Sequence, residues 1–264
     1  MKTVKLITIV TLLALGLAYP VNAQNMDHKP DTANHKMLVW YDFEGDFLTS
    51  GIIKDRSGNG HTARVIGSVS ATPGISGSQA ILFSGGYIQA QDNPAAGRTL
   101  VTFSLWFKTK NPKENYKLAS AAWWNGGPAS GWIIATHVPE FWSDDTQSLV
   151  PLQPNNENNF PVDQWVHEAV TYDGVRIKEY TNGQLINDWF TTGAAIGQGL
   201  PMAVGAWPQY SGYNFQGSID EFKIFGRALS QKEIQNIYHR GRGDCNRAPF
   251  FTSTPVITAA QDIP

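Results

Sequence analysis

The sequence predicts an all-β protein, a two-sheet antiparallel β-sandwich with one short C-terminal helix. Three observations predict it. Short β-rich runs recur along the chain, each bounded by Gly, Pro, Asn or Asp. A single capped helical stripe stands near the end, and the regular alternation of strands with helices that marks a parallel sheet is missing.

The strand candidates follow in order: "MLVWYDF" from Met37, "AILF" from Ala80, "YIQA" from Tyr87, "VTFSLWFKT" from Val101, "KLASAAWW" from Lys117 and "GWIIATH" from Gly131. "QWVHEAVTYD" from Gln164, "RIKEYT", "QLINDWF", "MAVGA" from Met202 and "GSIDEFKIF" from Gly217 complete the series. In "FSLWFK", Phe103, Leu105 and Phe107 share one face, and Ser104, Trp106 and Lys108 share the other. The mixed polar and Trp face predicts partial exposure. Asn182-Gly183 between two strands predicts a two-residue type I′ hairpin, because both residues tolerate positive φ. Ser230 with Glu233 forms a capping box, Ile234, Ile237 and Tyr238 an apolar stripe, and Gly241 a helix stop.

The flanks read differently from the body. Lys2 and Lys5 precede an apolar run, Leu6 to Leu17, ending near Val21-Asn22-Ala23, which predicts a signal peptide over 1–23 and export to a secreted, periplasmic or outer-surface location. The run is too short for a transmembrane segment. Residues 24–36 read as a disordered leader, and 37–243 as one domain with a single core. Residues 244–264 read as a linker or the start of a following β domain, so further β domains in a longer parent chain are expected. Without Lys2 and Lys5 the 20 basic residues become 18 against 22 acidic ones, a formal net charge of −4. That balance excludes nucleic acid as a natural partner. Cys245 is the only cysteine, which excludes an internal disulfide and a Cys-based zinc cage.

"DRSGNGHTA", residues 55–63, contains the spacing Gly58-x-Gly60-x-x-Ala63. A dinucleotide loop needs a helix directly after its glycines, and β-branched residues broken by Pro73-Gly74 follow instead. The phosphate reading fails.

"YDFEGDFLTSGIIKDRSGNGHTARVIG", "TFSLWFK", "QWVHEAVTYDGVRIKEYTNGQLI" and "GSIDEFKIFGRALSQKEIQNIY" together resemble the successive motifs of laminin G-like, concanavalin A-like jelly-roll domains of secreted bacterial proteins. The resemblance covers about residues 37–241. It implies a concanavalin A-like jelly roll, usually a non-catalytic module that binds carbohydrate or a cell-surface protein and often holds calcium. Matched to the family's motifs, the calcium ligands would be Glu44, Asp55, Asn59 and Asp220. Calcium takes six to eight oxygens from carboxylates, amides and carbonyls, which these side chains can supply. The alternative is that Asp55 and Asn59 only make turn hydrogen bonds while Gly58 and Gly60 take positive φ.

Nine tryptophans is a heavy load, and several lie in or beside glycine-rich loops, "WWNGGPASGW" and "AWPQYSGYNF". An indole face is a platform for the C–H face of a sugar ring, with polar neighbours bonding its hydroxyls. Trp124, Trp132, Trp142, Trp207 and Tyr210 are therefore the stacking candidates, and Asn125, Asp144 and Asp145 the hydrogen-bonding ones. The competing reading is packing, which Trp40, Trp106, Trp165 and Trp189 fit, as does one of the adjacent pair Trp123 and Trp124, whose side chains point to opposite faces. The segment between these loops, from His137 to Phe160, reads as long and irregular.

No catalytic set emerges. A retaining glycosidase needs two carboxyl groups about 5 Å apart, and no Glu-x-Asp-x-Glu run places them on one strand face. A lyase arrangement of His137, His167, Tyr172 and Arg176 is conceivable in space but not demanded by spacing. The sequence thus predicts a non-enzymatic binding module, with a polysaccharide-active lyase or glycosidase, or a structural spacer, as the alternatives.

Overall fold

A computed structural model describes residues 37–126, 129–144, 148–149, 160–191 and 193–243. The expected signal peptide, leader and following domain, as well as Asp145 and Cys245, lie outside the described residues. No helix among the described residues is long and apolar enough to cross a membrane.

The strands are β1 (Met37–Tyr41), β2 (Ile52–Ile53), β3 (Ala63–Ile66), β4 (Val69–Thr72), β5 (Ala80–Ser84), β6 (Tyr87–Ala90), β7 (Val101–Lys108) and β8 (Lys117–Ser120). They continue as β9 (Trp123–Trp124), β10 (Ala129–Ala135), β11 (Glu140–Trp142), β12 (Val166–Tyr172), β13 (Arg176–Thr181), β14 (Gln184–Phe190), β15 (Ala203–Val204) and β16 (Gln216–Phe225). A one-turn helix α1 (Phe47–Ser50) follows β1, and α2 (Gln231–Gly241) follows β16.

Two antiparallel sheets form the sandwich. The first runs β14-β13-β12-β7-β16-β5-β4, with β1 added to β16; the second runs β11-β10-β8-β15-β6-β3-β2, with β9 added to β10. Between them lies one core, drawn from both inner faces, that includes Phe103, Leu105, Phe107, Leu118, Trp132, Ile134, Phe141, Val170 and Phe222. The expected fold class holds. Strand β16 pairs with β5 through Gln216–Ile219 and with β1 through Phe222–Phe225. At the change of neighbour the register against β7 slips between Asp220 and Lys223, and Glu221 takes a φ of 53°. This is a bulge, the usual device for re-aiming a strand.

The Asn182-Gly183 turn has φ of 51° and 77°, as a type I′ hairpin requires. Helix α2 carries the full capping box: the Ser230 hydroxyl accepts from Glu233 N–H, and the Glu233 carboxylate accepts from Ser230 N–H. Gly241 has a different use from the one expected. It is the last helical residue, and a Cβ there would sit 2.5 Å from the Trp106 indole nitrogen. The glycine lets α2 lie down on β7. Trp106 and Ser104 are consequently buried rather than half-exposed, with Trp106 stacked on Tyr238 at 5.5 Å and 17°.

Candidate functional site

The outer face of the second sheet carries the functional candidate. In β10, Trp132 and Ile134 point inward, so Ile133 and Ala135 point outward, where they meet Ala122 and Trp207 in a separate apolar floor. Trp142 and Tyr210 pack against its rim. The Trp207 indole N–H donates to the Ala122 carbonyl at 3.0 Å, fixing the ring. Tyr210 lies 4.5 Å from Trp207, Tyr213 lies 6.4 Å from it, and Trp124 lies 5.7 Å from Tyr210. The rings make a tilted row, Trp124–Tyr210–Trp207–Tyr213, that is not coplanar.

Two loops are tied together to hold this row. Tyr210 donates its hydroxyl to the Trp124 carbonyl at 3.2 Å, and Trp124 N–H donates to Gln209 Oε1 at 3.0 Å. The outer members remain in solvent, Trp124 at 40 % exposure and Tyr213 at 41 %. Beside Tyr213 stands an ion pair: Lys117 Nζ is 2.6 Å from Glu140 Oε1 and 5.3 Å from the Tyr213 ring centre.

The expected ligand residues separate into groups. Trp124, Trp142 and Tyr210 come together on this face, and Asn125, exposed, follows Trp124 in the chain. Trp132 is corrected: it is 0 % exposed, packed 4.3 Å from Phe103, and its indole donates inward to Asn93 Oδ1. It is a core residue. Trp207, at 7 % exposure with its N–H engaged, supports the outer rings rather than offering a free face. Asp144 braces a neighbouring loop, its Oδ1 accepting from the Ser130 hydroxyl and Gln198 N–H, both at 2.7 Å. Tyr213, Lys117 and Glu140 were not among the predicted ligand residues. Glu140 was hidden because β11 lies inside the stretch read as irregular.

The expected calcium ligands do not form one donor set. Asp55 accepts four hydrogen bonds, from Trp40 N–H and Ser57 N–H on one oxygen and from the Ser57 hydroxyl and His61 N–H on the other. Both oxygens are saturated by its own surroundings. Asn59 donates to the Met37 and Leu38 carbonyls, stapling the loop to the start of β1. "DRSGNGHTA" is thus a self-satisfied turn. Glu44 and Asp220 face a different loop: Glu44 accepts from Ser78 and Gln79 N–H, and Asp220 from Ile75 and Ser76 N–H. Burial, and then the neighbouring Glu221, push the Asp220 carboxyl up to about 8. Among the described residues no group of three or more His, Cys, Asp or Glu side chains is arranged to hold a metal ion. The four residues do not fit calcium as a set.

A carboxyl pair escaped the sequence because it spans two strands. Glu168 on β12 and Glu179 on β13 alternate with core residues Val170 and Ile177 and point into the sandwich, both buried. Desolvation raises both, Glu179 to about 7, and Glu168 is raised further by the Glu179 charge. Thr181 donates to Glu168 at 3.0 Å and Asn187 to Glu179 at 2.7 Å. Enclosed this way, the pair cannot meet a polysaccharide. His167 is likewise structural: buried beside Trp106, 3.0 Å from the Ser104 hydroxyl, it is held near 3 by desolvation and then by Lys223.

Solved structures share this fold. Domain 4 of a GH43 extracellular arabinanase from Geobacillus stearothermophilus, in complex with arabinotriose, superposes with a TM-score of 0.54 at 20 % identity, covering 77 % of this chain and 98 % of that domain. The binding domain of Paraclostridial Mosquitocidal Protein 1 gives 0.58 at 20 % identity, covering 78 % of this chain and 52 % of that one. The receptor binding domain of botulinum neurotoxin C/D mosaic serotype gives 0.58 at 17 %, covering 78 % and 51 %. The chain therefore spans about half the length of the two toxin domains. The comparison with curated proteins returns no match. A sequence family described as the concanavalin A-like lectin/glucanases superfamily (Laminin_G_3) matches residues 83–235. That span exceeds half of the chain, and the protein belongs to this superfamily.

Proposed function

We propose that the outer face of the second sheet binds carbohydrate, and that the domain is an exported module that holds its ligand without turning it over. The observation that carries this reading is the row Trp124–Tyr210–Trp207–Tyr213 on the sheet face opposite α2, whose outer members Trp124 and Tyr213 stand in solvent. Exposed indole and phenol faces lose little by being covered with a sugar's C–H face and gain dispersion and C–H/π contact. The arabinotriose complex of the arabinanase domain supports the reading, since a similar fold there takes a sugar. Affinity electrophoresis in polysaccharide gels tests it. Retardation of the wild type that is lost in Trp124→Ala and Tyr213→Ala, at an unchanged thermal midpoint, supports the assignment. Release of reducing ends or unsaturated products from a polysaccharide panel would instead make the protein an enzyme.

A surface protein is the second reading, favoured by the toxin receptor-binding neighbours. It predicts binding to cells that survives removal of their glycans. Calcium enters only at Glu44 and Asp220, which grip the same 75–79 loop; an ion there would relieve the desolvated Asp220 carboxylate. A melt with EDTA and with added calcium decides it, because a ligand that binds only the folded state raises the midpoint. Export predicts a mature N-terminus at Gln24, read by sequencing the protein from culture supernatant or periplasm.

A further inference from the structure

We infer that Glu140 sets the chemical class of the ligand, selecting neutral, hydroxyl-rich glycans over uronate- or sulfate-bearing ones; this rests on reading the outer face of the second sheet as the carbohydrate surface. Glu140 and Trp142 are two residues apart in β11, and Phe141 between them points into the core, so both stand on the outer face. The carboxylate and the indole are neighbours along one strand. Glu140 Oε1 is taken by Lys117 Nζ at 2.6 Å, and Oε2 has no partner among the described residues. The carboxylate is 36 % exposed, whereas the lysine side chain is only 4 % exposed.

That asymmetry decides what the face presents. The Lys117 ammonium spends its hydrogens on Glu140 and on Asn115 Oδ1 at 3.3 Å, and it lies beneath the Tyr213 ring. It orients Glu140 but cannot reach out to a ligand anion. Arg64 on β3 is three strands beyond β8, roughly 14 Å away at the usual strand spacing. Next to the aromatic row the ligand therefore meets an oriented acceptor with a free oxygen. Sugar hydroxyls are donors to such an oxygen, and a charge-assisted bond of this kind is stronger than a neutral one. A uronate or sulfate would bring a second anion to the same place, where the Lys117 ammonium is already engaged.

The test is binding of the full chain to a panel of arabinan, xylan, β-glucan and mannan against polygalacturonate, alginate and chondroitin sulfate. The expected result is binding to at least one neutral polymer and affinity lower by about tenfold or more for every anionic one. Glu140→Gln should lose about tenfold on the neutral polymer and narrow the neutral-to-anionic ratio. Because that change alters the partner of a buried lysine, the double variant Lys117→Met/Glu140→Gln is measured beside it and should show the same narrowing. Equal binding of anionic polymers, or a ratio unmoved in both variants, overturns the role of Glu140 and leaves the aromatic surface standing. No binding of the wild type to any polymer overturns the carbohydrate reading and this inference with it.

Discussion

The outer faces of the two sheets each carry an aromatic cluster centred on a tryptophan, and they have met opposite fates. On the first sheet Trp106 is flanked by His167 at 5.2 Å and Tyr238 at 5.5 Å, and α2 lies over it. On the second sheet Trp207 is flanked by Tyr210 and Tyr213, and the row continues into solvent at Trp124. Aromatic content alone does not separate a site from a core. What separates them is whether the chain supplies its own cover, and here a glycine at 241 admits the cover on one side only.

The largest effect should come from the closed face. Trp106→Ala removes a fully enclosed indole and should cost about 3–5 kcal/mol in denaturant titration, while the fraction that folds keeps its glycan affinity. A loss below about 1 kcal/mol would mean that α2 covers less than its contacts imply. The second effect is a pH dependence belonging to the interior beneath the first sheet. The folded state holds Glu179 at about 7, above its ordinary 4.5, and Glu168 above its own value. Between those limits the unfolded chain has released protons that the folded chain keeps, so the pair's contribution to stability is greatest in acid and is lost as pH rises from about 5 to 8; Asp220, raised to about 8, acts in the same direction, and His167, held near 3, acts against it below about 6.5. Urea midpoints at both ends of that range should show the fall. Glu179→Gln should lessen it and leave glycan affinity unchanged.

Third, Trp124→Ala on the open face should weaken binding about tenfold, equivalent to about 1.4 kcal/mol, with stability altered by less than about 0.5 kcal/mol. A large loss of stability would turn the open face into a second packing surface. Last, Ser230→Ala removes one half of the capping box and should cost about 1 kcal/mol by thermal melt. Only the closed face depends on the helix that this residue starts.

The same contrast explains what could be read in advance. The hairpin at Asn182-Gly183 and the capping box at Ser230 are local chemistry, and both are where the residues place them. The inward alternation of Phe103, Leu105 and Phe107 is also local. Trp106 packs, as expected of its group of tryptophans, but the partial exposure expected from its mixed face is wrong because its cover arrives from residues more than 120 positions later, which no periodicity in β7 announces. Trp132 failed for another reason. The run Gly131 to Ala135 has no polar residue to mark its outer side, so nothing in it tells that Trp132 faces in and Ile133 out. Strands β2 and β11 have two and three residues, too short for a pattern to show. Glu168 and Glu179 meet across a strand pair, and a relation between strands is invisible to spacing within one.

Strand β16 bears on how the polypeptide is made. It supplies the neighbour of β1, β5 and β7, yet it is the last of the described strands to be synthesised, and β1 has no other strand partner among the described residues. Roughly 180 residues must follow β1 before its partner exists, on the order of ten seconds at cellular elongation rates. Through that interval the first sheet cannot close. For an exported polypeptide, as proposed above, the order of the strands works as a delay, keeping the chain threadable until most of it has emerged.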